Sequence, residues 1–371
     1  MKALEICLVL QDLNEPSDLL FATVSLFAHV FVLVGTIGKE RKMKHSLFRR
    51  IANKIIISLA ACLAGLFFYG SAVAATPLVS ADWLSENLNN PELVIIDLRN
   101  SIDGGSYDTF LEGHIPGSIH SDYAKDGWRV ARDGTPGLLP TDSQFQSLAR
   151  KLGVSETSHV VIIPAGVSSS DFGSSARAYW TFKVFGHDNV SILNGGWKIW
   201  SETYPSNVEK GAPLAPIEGD FVASFSPKGY IDTSGVEQIT LDKSSPVVLL
   251  DGRTEEQFWG EKKHAKASAA GHIPGAILIS QSNAYDADSN QIKPTEILAE
   301  IYDDASEGPV VSYCNTGHWA ATNWFVLSEI LGNKDVLLYD GSMVEWTKDT
   351  NRPLVTDKSN LTKIKEFLKL G

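Results

Sequence analysis

Cys314 is the residue with the clearest chemical potential. The chain has three cysteines, and Cys7 and Cys62 lie in the N-terminal region set apart below as an export or membrane segment, so Cys314 is the lone thiol of the remainder and an internal disulfide there is excluded. A lone cysteine is ordinarily a small buried core residue. Its neighbours argue for more. Cys314 follows the β-branched run Val310-Val311-Ser312-Tyr313 and opens the segment Asn315-Thr316-Gly317-His318-Trp319, behind which an apolar stretch at helical spacing runs to about residue 331 and stops at Gly332. A strand–loop–helix turn of this kind is expected to converge backbone N–H groups on the sulfur. With the positive end of the helix dipole, they would stabilise a thiolate and the persulfide anion derived from it. A thiolate is the nucleophile that covalent sulfur chemistry requires. His318 has two readings, as a source of positive charge or a proton, or as a locally hydrogen-bonded ring. Trp319 is placed to wall a pocket.

The elements that position this loop come from an internal repeat. Leu93-Val94-Ile95-Ile96-Asp97-Leu98-Arg99 precedes Gly113-His114-Ile115-Pro116-Gly117, and Val247-Val248-Leu249-Leu250-Asp251-Gly252-Arg253 precedes Gly271-His272-Ile273-Pro274-Gly275. Farther on a constant offset of 146 sets Gly195 on Gly341 and Trp200 on Trp346. The halves are therefore homologous domains, each α/β: short buried runs such as Val160-Val161-Ile162-Ile163 predict a central, mainly parallel sheet flanked by helices. Predicted boundaries are 76–204 for a first domain without the cysteine, 205–227 for a proline-rich linker and 228–371 for a second domain bearing Cys314. Asp251 and Arg253 follow a strand end, where a salt bridge or loop-fixing hydrogen bond is as plausible as substrate contact. Because the Ile-Pro-Gly turn carries a histidine in both halves, at least one of His114 and His272 should be structural, and His114 is the candidate site residue of the two.

Composition narrows the function. The net charge of −12 and the confinement of dense basic residues to the N-terminal region argue against a nucleic-acid partner. Residues 19–38 are long and apolar enough to span a bilayer. Residues 55–68 form a second apolar run after Arg49, Arg50 and Lys54 and lead to Ala72-Val73-Ala74, the pattern of a cleaved secretory signal. One reading starts the protein at Met43, with residues 1–42 an over-extended start and 43–74 a signal peptide. A second keeps both runs as a membrane hairpin around a basic loop. A third takes Leu59-Ala60-Ala61-Cys62 as a lipobox. The first two export the remainder, to the periplasm or an equivalent compartment.

Over residues 76–371 the sequence resembles the tandem rhodanese family of thiosulfate and 3-mercaptopyruvate sulfurtransferases. The resemblance rests on the Asp-x-Arg strand ends, the Gly-His-Ile-Pro-Gly turns, the strand ending in Cys314, and the run from Arg177-Ala178-Tyr179-Trp180 through Phe185-Gly186-His187 to Asn194-Gly195-Gly196-Trp197. It implies that Cys314 attacks the outer sulfur of a small anionic donor, releases sulfite or pyruvate, and passes the persulfide sulfur to cyanide or a thiol, without metal or organic cofactor. It also implies that first-domain basic residues reach the donor, which makes Arg177 a candidate and Lys183, six residues on, a weaker one. The loop Asn315-Thr316-Gly317-His318-Trp319 matches neither the basic nor the small neutral variant of the family. Thr316 stands where the neutral variant has serine. Thiosulfate is favoured over 3-mercaptopyruvate as donor, and a non-catalytic sulfur-relay role is the competing reading. A cysteine phosphatase is disfavoured because Ala320, not arginine, stands six residues after Cys314. A dithiol oxidoreductase would need a second cysteine nearby.

Overall fold

The computed structural model describes residues 75–356. The apolar runs at 19–38 and 55–68, the signal and start readings built on them, Cys7, Cys62 and residues 357–371 lie outside the described residues. No helix among the described residues is long and apolar enough to cross a membrane.

The first half builds β1 (Leu78–Val79), α1 (Ala81–Asn87), β2 (Leu93–Asp97), α2 (Tyr107–Glu112), β3 (Ile119–His120), the hairpin β4 (Val130–Arg132) and β5 (Thr135–Leu138), α3 (Asp142–Lys151), β6 (His159–Ile163), α4 (Ser169–Val184), β7 (Val190–Leu193) and α5 (Gly196–Thr203). Its sheet has the order β1-β7-β6-β2-β3, with every pairing parallel. The second half builds α6 (Thr233–Leu241), β8 (Val248–Asp251), α7 (Glu255–Phe258), β9 (Ile277–Leu278), β10 (Tyr285–Asp286), β11 (Gln291–Ile292), α8 (Thr295–Ile301), β12 (Val310–Tyr313), α9 (Trp319–Phe325), β13 (Val336–Leu338) and α10 (Ser342–Trp346). Its sheet has the order β13-β12-β8-β9, again parallel throughout. The β-branched runs are buried on both faces, as strands covered by helices must be.

The repeat extends farther than its most visible motifs. His114 bridges Glu209 and His272 bridges Val355 in the same antiparallel manner, so the spacing of 146 persists into the proline-rich segment. That segment forms neither helix nor strand. It is laid along the first half by Ser224 N–H to the Phe185 carbonyl (3.0 Å), Ser226 N–H to that of Val184 (2.7 Å) and the fully buried Phe221 ring.

One hydrophobic cluster runs through both halves, with α4 packed on α9. Phe325 meets Phe172 and Tyr179 edge to face, with ring centroids 5.7 and 4.9 Å apart. Helix α4 is buried along almost its whole length because its own sheet covers one side and the second half the other. The stretch predicted as a single helix from Trp319 changes to a π turn at Val326–Ile330 and ends at Gly332, whose φ of 80° suits a left-handed cap.

Candidate active site

The two strands at the centre of each half place their ends alike: Asp97 pairs with Ile163 and Asp251 with Tyr313. Cys314 follows Tyr313 and Pro164 follows Ile163. Their carbonyls accept equivalent bonds, Met343 N–H to Cys314 (3.1 Å) and Trp197 N–H to Pro164 (2.8 Å), so Pro164 occupies the first-half position of Cys314. In the sequence the stretch from Pro164 to Gly195 is longer than that from Cys314 to Gly341, which suggests a first-domain loop about three residues longer. In the structure both loops instead enter their helices after five residues, and the additional residues form an extra turn at the start of α4. That turn carries Ser170 over the second-half loop.

Cys314 is 1% exposed. The Ser342 hydroxyl accepts from the N–H groups of Cys314 (3.0 Å) and Gly317 (3.1 Å) and donates to the Tyr339 carbonyl (2.7 Å). The expected convergence of N–H groups on sulfur is thus only partly available, since two of them are taken by a serine. Among the described residues, the N–H groups of Asn315, Thr316, His318 and Trp319 donate to no protein acceptor. Gly317 has φ 68°, and a side chain there would strike the Arg177 guanidinium and Asp340.

The first-half loop shows what such N–H groups hold. Ala165, Gly166 and Val167 donate to the Asp171 carboxylate at 3.0, 2.6 and 3.1 Å. Burial pushes the Asp171 carboxyl up to about 7, with Asp103 adding to it and the three N–H bonds opposing.

The remaining candidate residues divide. Arg177 is fully buried rather than on a helix surface: its guanidinium donates to the carbonyls of Gly317 (3.1 Å) and Gly137 (2.9 Å), pairs with Asp340 at 3.4 Å and lies 4.6 Å from the Trp180 ring centroid. It clamps the Cys314 loop from the other half. Asp340 in turn accepts from Leu139 N–H at 2.7 Å. Thr316 lies against Gly137, where a side chain would meet its carbonyl and Cβ. Asn315 donates to Gln257 at 3.1 Å and keeps a buried, unpartnered Oδ1. Trp319 donates to Ser170 Oγ at 3.0 Å.

Of the two readings of His318, the geometry fits the locally hydrogen-bonded ring and not a source of charge or a proton. Its Nε2 lies 2.9 Å from the Ser170 carbonyl, which can only accept, so Nε2 carries the proton and Nδ1 accepts from the Tyr123 hydroxyl at 3.0 Å. Burial, then the positive charge of Arg129, hold its pKa down to about 3, so the ring is neutral near pH 7. It binds the loop to the first half.

Four further residues are structural. Arg253 chelates Asp251 (2.9 and 2.7 Å) and donates to the Gly271 carbonyl (2.8 Å), all buried. Arg99 repeats this on Asp97 and Gly113 in the half without a cysteine. His114 donates from Nδ1 to the Phe110 carbonyl (2.9 Å) and stacks on Phe110, just as His272 does on Phe258. Lys183 pairs with Asp188 at 2.6 Å at the surface, with Glu329 3.9 Å away, remote from the loop contacts.

Sequence reasoning missed Ser342, Asp340, Tyr123, Ser170 and Arg129. A signal for one existed. Gly195 and Gly341 align, so the change from Gly196 to Ser342 marks a hydroxyl present only in the cysteine-bearing half.

The description Rhodanese-like domain matches residues 80–203 and 237–349. The chain belongs to the rhodanese family, as a tandem repeat of that domain, and to its sulfurtransferases. The Thermus thermophilus sulfur carrier protein TtuD is 32% identical over 286 residues, covering 72% of this chain and 93% of that protein. A Haloferax volcanii protein provisionally named a thiosulfate sulfurtransferase is 32% identical over 303 residues, covering 76% and 98%. The crystal structure of SseA from Escherichia coli, a 3-mercaptopyruvate sulfotransferase, aligns with a TM-score of 0.61 at 28% identity over 72% of this chain and 99% of that one.

Proposed function

We propose that the protein moves a sulfane sulfur from a small anionic donor, thiosulfate before 3-mercaptopyruvate, through a Cys314 persulfide to cyanide or a thiol. The observation that carries this reading is the pair of loops. The cysteine-less copy holds a carboxylate with three N–H groups, and the copy bearing Cys314 leaves the matching N–H groups of Asn315 and Thr316 unspent beside a thiol. Such a cradle suits a thiolate and, after transfer, a persulfide anion.

In the first half-reaction the Cys314 thiolate attacks the outer sulfur of thiosulfate. The S–S bond of the donor breaks and its electron pair leaves on sulfite. In the second, cyanide attacks the outer sulfur of the persulfide, thiocyanate departs, and the electron pair of that S–S bond returns to Cys314. Gly317, Ser342 and Arg177 keep the loop in one conformation across both states. The residues need no metal or organic cofactor for this cycle. We also place the mature protein outside the cytoplasm, on the signal-like pattern of residues 43–74, with small molecules rather than nucleic acid as partners.

The test is turnover of thiosulfate and of 3-mercaptopyruvate to thiocyanate. The reading expects turnover with at least one donor and its loss in Cys314→Ser. Because one relative is named a sulfur carrier, a relay role is the second reading. A persulfide on Cys314 that forms from a protein donor, with no small-donor turnover, would select it.

A further inference from the structure

We infer that Arg129 is the anchor for the anionic end of the sulfur donor, a residue that determines donor charge rather than one that takes part in bond making. This rests on the donor reading above. Arg129 stands at the entry of the β4–β5 hairpin, directly after Trp128, whose ring is 1% exposed and whose Nε1 donates to Ser121 Oγ at 2.9 Å. The backbone at Arg129 is therefore held. Its guanidinium carbon lies 4.5 Å from the centroid of the Tyr123 ring, a cation–π stack. Tyr123 is itself buried, and its hydroxyl donates to His318 on the Cys314 loop at 3.0 Å. The arginine is thus mounted on the ring that touches the loop. The other end of the same hairpin meets the loop through Gly137, against Thr316 and Arg177.

The partners of Arg129 point to a ligand. Among the described residues it has no ion pair or hydrogen bond, and its Nε is buried without an acceptor. An arginine that is merely solvated keeps its five donors in water; here one has been stripped of water with nothing in exchange. Of the groups it acts on, Arg177 is already paired with Asp340 and His318 is neutral. Arg129 is left as an uncompensated positive charge, and it acts against the protonation of both Arg177 and His318. An anion bound beside the Arg129 guanidinium would relieve that repulsion. A planar fork of N–H donors fits the terminal oxygens of a sulfonate-like or carboxylate group, the feature thiosulfate and 3-mercaptopyruvate share.

The experiment compares alkylation of Cys314 by iodoacetate and by iodoacetamide, reagents of one size and opposite charge status, in the full chain and in Arg129→Gln and Arg129→Lys. Peptide mass spectrometry follows Cys314 alone. Loss of a charged hydrogen bond predicts that the iodoacetate-to-iodoacetamide rate ratio falls about tenfold in Arg129→Gln. Arg129→Lys should keep most of it. The same Arg129→Gln variant should raise KM for thiosulfate about tenfold with a smaller change in kcat. In the unaltered protein, added salt should slow iodoacetate more than iodoacetamide, a readout that does not depend on any variant folding. An unchanged rate ratio in Arg129→Gln, or equal salt dependence of the two reagents, overturns the assignment. A protein that turns over neither donor yet shows the charge-dependent ratio would refute the donor reading and keep the anion site.

Discussion

The two halves carry the same loop in two conditions, and the difference isolates what the second one is for. In the first half, Pro164 stands at the start of the loop and Asp171 folds back to occupy its N–H groups. In the second half, Cys314 stands at that position, a serine secures two N–H groups from behind, and others have no protein acceptor. One copy has filled its loop with its own carboxyl group while the other leaves N–H groups open beside a thiol. The first half has also gained an extra turn on α4 and a buried arginine, both of which act on the loop of the other half. The copy without a thiol has become the support of the copy that has one.

The largest effect should come from the clamp. Replacing Arg177 by Met leaves Asp340 and two carbonyls buried without their partner, and should cost about 3–5 kcal/mol in urea unfolding. Sulfur uptake should fall with it. If stability is unchanged while thiosulfate KM rises, Arg177 faces the donor and not the loop.

Next is Asp171→Ala, which empties the first-half loop. Three N–H groups, two of them buried, lose their acceptor, at an expected cost of about 3 kcal/mol. Sulfate should then recover part of the lost thermal stability in this variant, beyond any effect on the parent, because the emptied loop offers three N–H groups to an anion. No recovery would break the equivalence of the two loops.

His318 gives a pH signature. Its folded pKa is lowered to about 3, so the unfolded chain takes up a proton near pH 6.5 that the folded protein refuses. The stability it contributes is present above pH 6.5 and is lost as pH falls toward 3. Between pH 7 and 5 the parent should lose about 2 kcal/mol more stability than His318→Gln, when urea midpoints are compared at the two pH values; an equal change in both would remove His318 as the cause. The smallest effect is expected for Lys183→Ala. Its ion pair with Asp188 lies at the surface, so stability should change by about 0.5 kcal/mol and sulfur uptake not at all.

Much of the architecture was legible because it rests on local pattern. Buried β-branched runs, the Gly-His-Ile-Pro-Gly turns and the doubled order of motifs led directly to two α/β domains, and the strand before Cys314 led to its loop. The contacts that sequence did not reveal share one physical cause: the partners lie far apart in sequence. Arg177 meets Gly317, and Tyr123 meets His318, across the packed halves, where spacing carries no information. Arg253 could have been read correctly. The argument that made a repeated histidine structural applies equally to Asp97-Leu98-Arg99, which keeps the same carboxylate–guanidinium pair where no cysteine exists. Arg129 had no sequence signal, since its meaning lies in the carboxylate it lacks.

The most direct test of the account is the mass of the protein after incubation with thiosulfate or 3-mercaptopyruvate and removal of the donor, with the modified residue located by peptide mapping. The account predicts one added sulfur atom, on Cys314, discharged by cyanide and absent in Cys314→Ser. A wild-type protein that stays unmodified with both donors, or that gains sulfur equally well as Cys314→Ser, would contradict it.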